Sequence, residues 1–453
     1  MHALGSGDRT DIFLTGRTVS TGSGDTLMDN SQFALLKSKR FLPLFITQAL
    51  GALNDNVFKN ALAILLVYRL AAEAGLNTAV MATAAGGVFI LPFFLFSATA
   101  GQLADKFDKA GLIRLIKLAE IVIMAIGGLA LFSGDVWFLF GVLFLMGTQS
   151  AFFGPLKYSI LPVHLKESQL IGANSLVEAG TFLSILAGTI AGSLLILTGP
   201  GIAVVSGLVL TLAGFGYAAS RFIPGTAAAV PDLKIRWNII AESWRMVAKA
   251  ASAGFSRLTI LGISWFWLVG AILLSLFPAI AGDLLKGDET VVTLFLVLFT
   301  VGIAIGSMFC NRLLKGQVTA IHAPYGALGI AIFIADFSFA LISYQPAESG
   351  ELIGGLAFLS DWSHLRMMAD LVGVALCGGI FIVPLYAILQ ARSADEDRSR
   401  TIAANNIVNA FFMTAGAGVV AALIGAGFAI PAVLLGIAAM TFIVAIYVWR
   451  AVA

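Results

Sequence analysis

The chain contains 453 residues, of which 59% are hydrophobic and only 11% charged, and its mean hydropathy is +0.96. Soluble domains carry about 25% charged residues, so this composition is typical of a polytopic membrane protein. A net charge of +2 without a compact basic run excludes nucleic acid as an expected partner. Cys310 and Cys377 both lie in apolar runs, which argues against a disulfide framework or a thiolate metal site.

The N-terminal region lacks apolar periodicity, so we expect residues 1–37 to be a disordered cytoplasmic tail. Apolar segments of about 20 residues, the length that crosses a bilayer, then recur along the chain. They lie near 42–68, 79–100, 111–132, 136–156, 172–197, 202–222, 257–280, 291–311, 321–343, 370–390, 402–425 and 430–450. The sequence therefore predicts an all-α integral membrane protein with twelve transmembrane helices.

The longest break between these segments, 223–256, contains the amphipathic run LKIRWNIIAESWRMVAKAA. A helix of this kind lies on a membrane surface, so we expect a cytoplasmic linker here. It would separate an N-terminal six-helix half, 38–222, from a C-terminal half, 257–453. Lysine and arginine concentrate in the loops on one side of the predicted bundle, which by the positive-inside rule places both termini in the cytoplasm. The opposite side receives only Arg69, Lys286 and Arg366.

The first predicted helix carries polar residues in its middle, namely Asn54, Asp55, Asn56 and Lys59. An ionised group at this depth costs roughly 3 kcal/mol or more unless another group pairs with it. Asp55 and Lys59 are one helical turn apart, so one interpretation is that they pair with each other and that the asparagines stabilise helix packing. The other is a binding site for a zwitterionic head. Asp55 would accept an ammonium, and Lys59, Asn54 and Asn56 would donate to a phosphate.

An internal repeat connects helices five and eleven. IGANSLVEA matches IAANNIVNA without a gap, which aligns Asn174 with Asn405 and Glu178 with Asn409. We expect these positions to line a site between two pseudo-symmetric halves, with the acid mainly in the first half. Parallel six-helix repeats of this kind are the arrangement of major facilitator transporters.

Two ionisable residues near the cytoplasmic end are further candidates. Lys157 follows Gly154 and Pro155 where helix four ends, and Glu178 lies inside an otherwise small and apolar segment of helix five. Together they are predicted to form an inner gate or a second headgroup station. The alternative for Lys157 is an anchor that extends to the membrane interface. In helix three, Glu120 is expected to pair with Lys117 or Arg114.

The loop between helices two and three, GQLADKFDKAGLIR, looks like the signature loop of the major facilitator superfamily. Gly101 would let two helix ends approach, and Asp105 would face a helix N-terminus or a basic partner. The positions that match the signature, with an expected gating role, are Gly101, Asp105, Lys106, Lys109 and Arg114.

Three further stretches resemble the lysophospholipid transporter (LplT-like) family: ALNDNVFKNAL, TQSAFFGPLKYSILP and ANSLVEAGT. They also resemble the membrane half of fused transporter–acyltransferase proteins. The resemblance implies a secondary transporter that flips a lysophospholipid, such as lysophosphatidylethanolamine, from the outer to the inner leaflet of the bacterial inner membrane by alternating access. It also implies a separate cytoplasmic-side acyltransferase as a partner. Membrane lipids are the other expected partners, and we expect a monomer.

The sequence departs from that family in helix seven, where Phe266 to Phe277 contains no basic residue. An exporter of an amphipathic drug or metabolite is therefore the alternative function. An enzyme is not expected, because no histidine is followed by an aspartate at the H-x4-D spacing of an acyltransferase. No residue spacing predicts a metal site or a cofactor.

Overall fold

The computed structural model describes residues 32–70, 75, 77–345 and 352–452. Residues 1–31 of the predicted tail lie outside this part of the chain, and its last residues, Gln32–Lys37, form a 3₁₀ helix. Within the described residues, twelve helices are long and apolar enough to cross a membrane, which confirms the predicted all-α architecture. They are α1 Leu42–Leu65, α2 Thr78–Lys106, α3 Lys109–Ser133, α4 Val136–Ser159, α5 Glu167–Ile196, α6 Gly201–Ser220, α7 Gly254–Ala279, α8 Glu289–Leu314, α9 Ala323–Ser343, α10 Trp362–Arg392, α11 Arg398–Gly425 and α12 Ile430–Val452.

The two halves repeat the same helix pairings. In the first half α1 packs on α5, α2 on α4 and α3 on α6, and in the second half α7 packs on α11, α8 on α10 and α9 on α12. The contacts between the halves follow the same symmetry, because α2 packs on α11 and α5 packs on α8. Six helices precede the linker and six follow it, so the linker lies on the side of the bundle where α1 begins and α12 ends. We call this the linker side, and the opposite one the far side.

The linker helix spans Ile239–Ser252 and begins later than the amphipathic run, which starts at Leu233. The preceding residues are held in an extended conformation by α2. Lys106 Nζ donates to the Leu233 carbonyl at 2.8 Å, and the Gln102 amide bonds to both backbone groups of Arg236. Asn238 then caps the helix by accepting from the Ala241 amide. The linker is therefore attached to the first half before its helix, and the helix itself also reaches the second half, where Lys249 pairs with Asp397.

Close approach of α1 and α5 depends on two glycines of α5, Gly188 and Gly192. A Cβ atom on Gly188 would lie 2.6 Å from the Leu53 carbonyl oxygen, and one on Gly192 would collide with the Val57 carbonyl oxygen. Small residues four positions apart let helix backbones approach in a membrane, where packing drives association. This contact fixes α1, the helix that carries Asp55, against α5.

We predict that Gly192→Val destabilises the protein by at least about 1–3 kcal/mol, because the added atoms overpack the α1–α5 contact. The apparent melting temperature in detergent should fall. Gly207→Val in α6 is the matched control, since a Cβ on Gly207 meets no atom within 4 Å. Equal melting temperatures for the two variants would contradict the role of Gly192.

Candidate functional site

Asp55 lies at mid-depth, about 20 Å along α1 from the first residue of that helix, Leu42. The Ser150 hydroxyl of α4 donates a hydrogen bond to Asp55 Oδ2 at 2.7 Å. Both side chains are partly exposed, as are those of Trp267 in α7 and Asn409 in α11. These four residues come from both halves, and we name the region that they border the central cleft.

Lys59 lies one turn further toward the far side than Asp55. Its Nζ atom is 4.5 Å from the centre of the Phe89 ring of α2, a cation–π contact. Lys59 and Asp55 both belong to the described part of the chain, and they form no direct ion pair. Asp55 bonds to Ser150 instead, and Lys59 contacts the Phe89 ring. The two opposite charges therefore stay separate, one turn apart on the same helix.

The asparagines beside Asp55 face away from the central cleft. Asn54 is fully buried and donates from Nδ2 to Glu120 Oε1 at 3.0 Å. Asn56 donates to the Ala52 carbonyl and packs against Gly188. In this conformation neither side chain lies where it would meet a ligand bound at Asp55.

Glu120 of α3 is the centre of a buried polar cluster. Lys117 Nζ lies 2.5 Å from Glu120 Oε2, so the expected i,i+3 pair is formed. Gln149 of α4 donates from Nε2 to the same oxygen at 3.0 Å. Lys117 also lies over the Phe153 ring at 5.0 Å. The cluster satisfies a carboxylate and an ammonium that have no access to water.

Toward the linker side, Glu178 is fully buried and Tyr158 separates it from Lys157. The Tyr158 hydroxyl donates to Glu178 Oε1 at 2.7 Å, and Lys157 Nζ lies 4.6 Å from the centre of the Tyr158 ring. Lys157 and Glu178 thus flank one tyrosine and do not bond to each other. Tyr158 therefore contacts both residues of the predicted gate.

Aromatic pairs join the halves at this level. Tyr158 stacks on Tyr386 of α10, with ring centres 4.3 Å apart and planes at 9°. Phe182 of α5 stacks on Trp267, with centres 5.7 Å apart and planes at 13°. Trp267 Nε1 donates to the Tyr386 hydroxyl at 3.0 Å, which links the two pairs. Three residues that no sequence pattern indicated therefore lie between the central cleft and the linker side: Tyr158, Tyr386 and Phe182.

The repeated amides occupy different environments in the two halves. Asn174 forms two reciprocal hydrogen bonds with Gln390 of α10, both 2.8 Å long. Asn405 is fully buried and neither of its amide atoms has a protein hydrogen-bond partner. Asn409 accepts a hydrogen bond from the Ser264 hydroxyl at 2.6 Å and is partly exposed. Only Asn409 of these residues borders the central cleft.

The signature loop lies against the start of α11. Asp105 accepts from the Ser399 amide at 3.1 Å and from Arg400 Nε at 3.0 Å. A Cβ on Gly101 would lie 2.7 Å from that of Ala403, so only glycine permits this approach. Asp105 therefore meets both a helix N-terminus and a basic residue of the other half.

The remaining basic positions of the loop serve the linker and the loop itself. Arg114 donates to the Ile223 carbonyl at 2.8 Å, and Lys106 binds the linker backbone as described above. The Lys109 side chain is buried, and its backbone amide donates to the Thr226 hydroxyl. Asp108 caps α3; burial alone would raise the pKa of its carboxyl, but hydrogen bonds from Thr226, Gly111 and Ala110 lower it below the ordinary value.

All of these interactions lie on one side of the bundle. Between residues that the structure describes, every hydrogen bond, ion pair and aromatic contact that joins the two halves lies between mid-depth and the linker side. The described contacts of these kinds thus join the halves on the linker side.

Comparison with known proteins identifies relatives along nearly the whole chain. No family model matches it. The chain is 28% identical over 431 residues to the lysophospholipid transporter LplT of Escherichia fergusonii, which covers 92% of this chain and 97% of that protein. The protein of the same name from Escherichia coli O1:K1 gives the same identity and coverage. The predicted resemblance to lysophospholipid transporters is confirmed.

Solved structures share the architecture at lower identity. A bacterial homologue of the iron transporter ferroportin, in an outward-facing state, aligns with a TM-score of 0.64 at 14% identity, over 90% of this chain and 99% of that one. The human organic anion transporter MFSD10 gives a TM-score of 0.70 at 12% identity, over 90% and 99%. This chain has the major facilitator fold. The fold and the bacterial relatives together indicate a multi-pass bacterial membrane protein.

We predict that Asn174→Leu lowers the free energy of unfolding by about 1–3 kcal/mol, because it leaves the buried Gln390 amide without partners. Gln390→Leu should behave similarly. The double variant Asn174→Leu/Gln390→Leu should recover much of the loss, since two apolar side chains replace the pair. Melting temperatures of the four proteins test this, and a double variant at least as unstable as the sum of the single ones would contradict it.

Proposed function

We propose that the protein is a secondary transporter that moves a lysophospholipid from the outer to the inner leaflet of the bacterial inner membrane by alternating access. The observation that carries the proposal is the separation of Asp55 and Lys59. An acid and a base lie one turn apart beside the central cleft, and neither forms an ion pair with the other. A zwitterionic phosphoethanolamine head has two charges that complement them.

The roles follow from the charges. Asp55 accepts the ammonium of the head, with Ser150 orienting the carboxylate through its 2.7 Å hydrogen bond. Lys59 exchanges the Phe89 ring for the phosphate, because a cation–π contact is weaker than a charge-assisted hydrogen bond to an anion. Asn409, from the other half, supplies a neutral amide. The apolar tail lies toward aromatic side chains such as Trp267 or in the surrounding lipid.

The distribution of basic residues gives the proposed orientation in the membrane. By the positive-inside rule the linker side is cytoplasmic, with both termini there. The contacts that join the halves on the linker side then favour a conformation that is closed inward and open outward. Opening the inner side requires the Tyr158–Tyr386 and Phe182–Trp267 pairs to separate, together with the Asp105–Arg400 ion pair. Closure of the far side over the head and separation of these pairs constitute the transport step.

The product side of the cycle suggests the partner. A lysophospholipid delivered to the inner leaflet is the substrate of an acyltransferase, so a separate enzyme on the cytoplasmic side completes the pathway. We propose that the transporter acts as a monomer and needs no cofactor. The named relatives are transporters, and we assign this chain no catalytic step.

We predict that Asp55→Asn lowers uptake of labelled lysophosphatidylethanolamine by about tenfold or more, because the ammonium loses a charged acceptor. Uptake of lysophosphatidylglycerol, which lacks the ammonium, should fall much less. Lys59→Gln should reduce both, because both heads contain the phosphate. Uptake into spheroplasts, with membrane levels of each variant measured in parallel, gives these comparisons.

Glu289→Gln is the control, since this exposed carboxylate begins α8 on the same far side. If Asp55→Asn lowered the uptake of both lipids equally, recognition of the ammonium by Asp55 would be contradicted. Absence of lysophospholipid uptake in the native protein, together with active efflux of amphipathic drugs, would favour the exporter instead.

A further inference from the structure

Lys117 and Glu120 lie outside the central cleft, with side-chain exposures of 0% and 2%. Taking two charges out of water is costly even when they pair, and apolar residues of similar volume often serve stability as well or better. Stability alone therefore does not explain the pair. Its hydrogen bonds to α1 and α4 indicate what else it does.

Glu120 contacts the residues that precede both partners of the Asp55–Ser150 hydrogen bond. Its Oε1 atom accepts from Asn54, the residue before Asp55, and its Oε2 atom accepts from Gln149, the residue before Ser150; both bonds are 3.0 Å long. One carboxylate thus anchors two adjacent helices at the same level.

Helix geometry converts these anchors into the orientation of Asp55. Consecutive residues of an α-helix point about 100° apart, since one turn contains 3.6 residues. With Asn54 and Gln149 turned inward to Glu120, the next residue of each helix faces the central cleft. Asp55 and Ser150 then meet at 2.7 Å. Rotation of either helix about its axis would separate them.

Gln149 also determines which acceptor is available to Ser150. Because Gln149 Nε2 donates to Glu120, its Oε1 atom faces the Ser150 hydroxyl, 3.2 Å away. Ser150 has one hydroxyl hydrogen, and Asp55 at 2.7 Å is the nearer acceptor. Ser150 therefore donates to Asp55, with Gln149 Oε1 as a second acceptor beside it.

We propose that Lys117 and Glu120 are positioning residues that hold the Asp55 carboxylate toward the central cleft through Asn54, Gln149 and Ser150. Lys117 pairs with Glu120 at 2.5 Å, and Glu120 sets the rotation of α1 and α4. The inference rests on the proposed binding of a lipid head at Asp55.

Lys117→Met/Glu120→Met removes both charges without changing the net charge and tests the proposal. We expect the KM for lysophosphatidylethanolamine uptake to rise about tenfold or more, the effect of losing a charged hydrogen bond, with a smaller change in maximal rate. Ser150→Ala should raise KM similarly, and Ser150→Thr should restore it. Combining Ser150→Ala with the double change should add little, because both act on the same contact.

Asp336→Asn/Arg366→Gln, at an exposed ion pair, is the control. It also removes one ion pair, 2.5 Å long, without changing the net charge, but in the other half of the protein. Its KM should equal that of the native protein. If the Lys117→Met/Glu120→Met protein does not reach the membrane, Gln149→Met tests the positioning role instead. This variant breaks the connection between Glu120 and Ser150 and leaves Lys117 paired with Glu120.

The outcomes separate this inference from the proposed function. A native KM in Lys117→Met/Glu120→Met or in Gln149→Met, beside a raised KM in Asp55→Asn, would overturn the positioning role and leave head binding at Asp55 intact. Fully additive effects of Ser150→Ala and the double change would overturn it as well. Unchanged uptake in Asp55→Asn would instead overturn the proposed function.

Discussion

An ionised group inside an apolar helix bundle is stable only when other polar groups meet it, and this requirement organises the first half of the protein. Glu120 receives hydrogen bonds from three helices: Lys117 on its own helix, Asn54 on α1 and Gln149 on α4. Satisfying that carboxylate fixes the two helices that carry Asp55 and Ser150. The charge in the central cleft is thus oriented by a second charge that no ligand reaches.

The same requirement explains why the two ends of the cleft differ. Toward the linker side, polar groups such as Asn174, Gln390 and Asp105 find partners across the halves, so closure there is stabilised by matched hydrogen bonds. Toward the far side, Lys59 lies over the Phe89 ring and one turn from Asp55. Matched polar groups thus join the halves on the linker side, whereas in the proposed function the charges of Asp55 and Lys59 are complemented by a zwitterion.

Much of the fold follows from the sequence, because span length and the repeat of Asn174 at Asn405 are local properties of the chain. Asp55 is also evident, since an acid in an apolar span is conspicuous. The hydrogen-bond partner of Asp55 is not evident from the sequence. The i,i+4 spacing favours Lys59, whereas in the structure the partner is Ser150, 95 residues away. Similarly, nothing in the sequence distinguishes Tyr158 and Tyr386 from other aromatic residues. Their stacking appears only when the two halves pack together. Contacts between distant helices depend on packing that spacing along one helix does not encode.

The position of the head can be seen directly in a structure of the protein in lipid nanodiscs with bound lysophosphatidylethanolamine. We predict the ammonium within hydrogen-bond distance of Asp55 and the phosphate beside Lys59, with Asn54 and Gln149 still bonded to Glu120. A head bound with the opposite polarity, or bound only near Lys157 on the linker side, would contradict it.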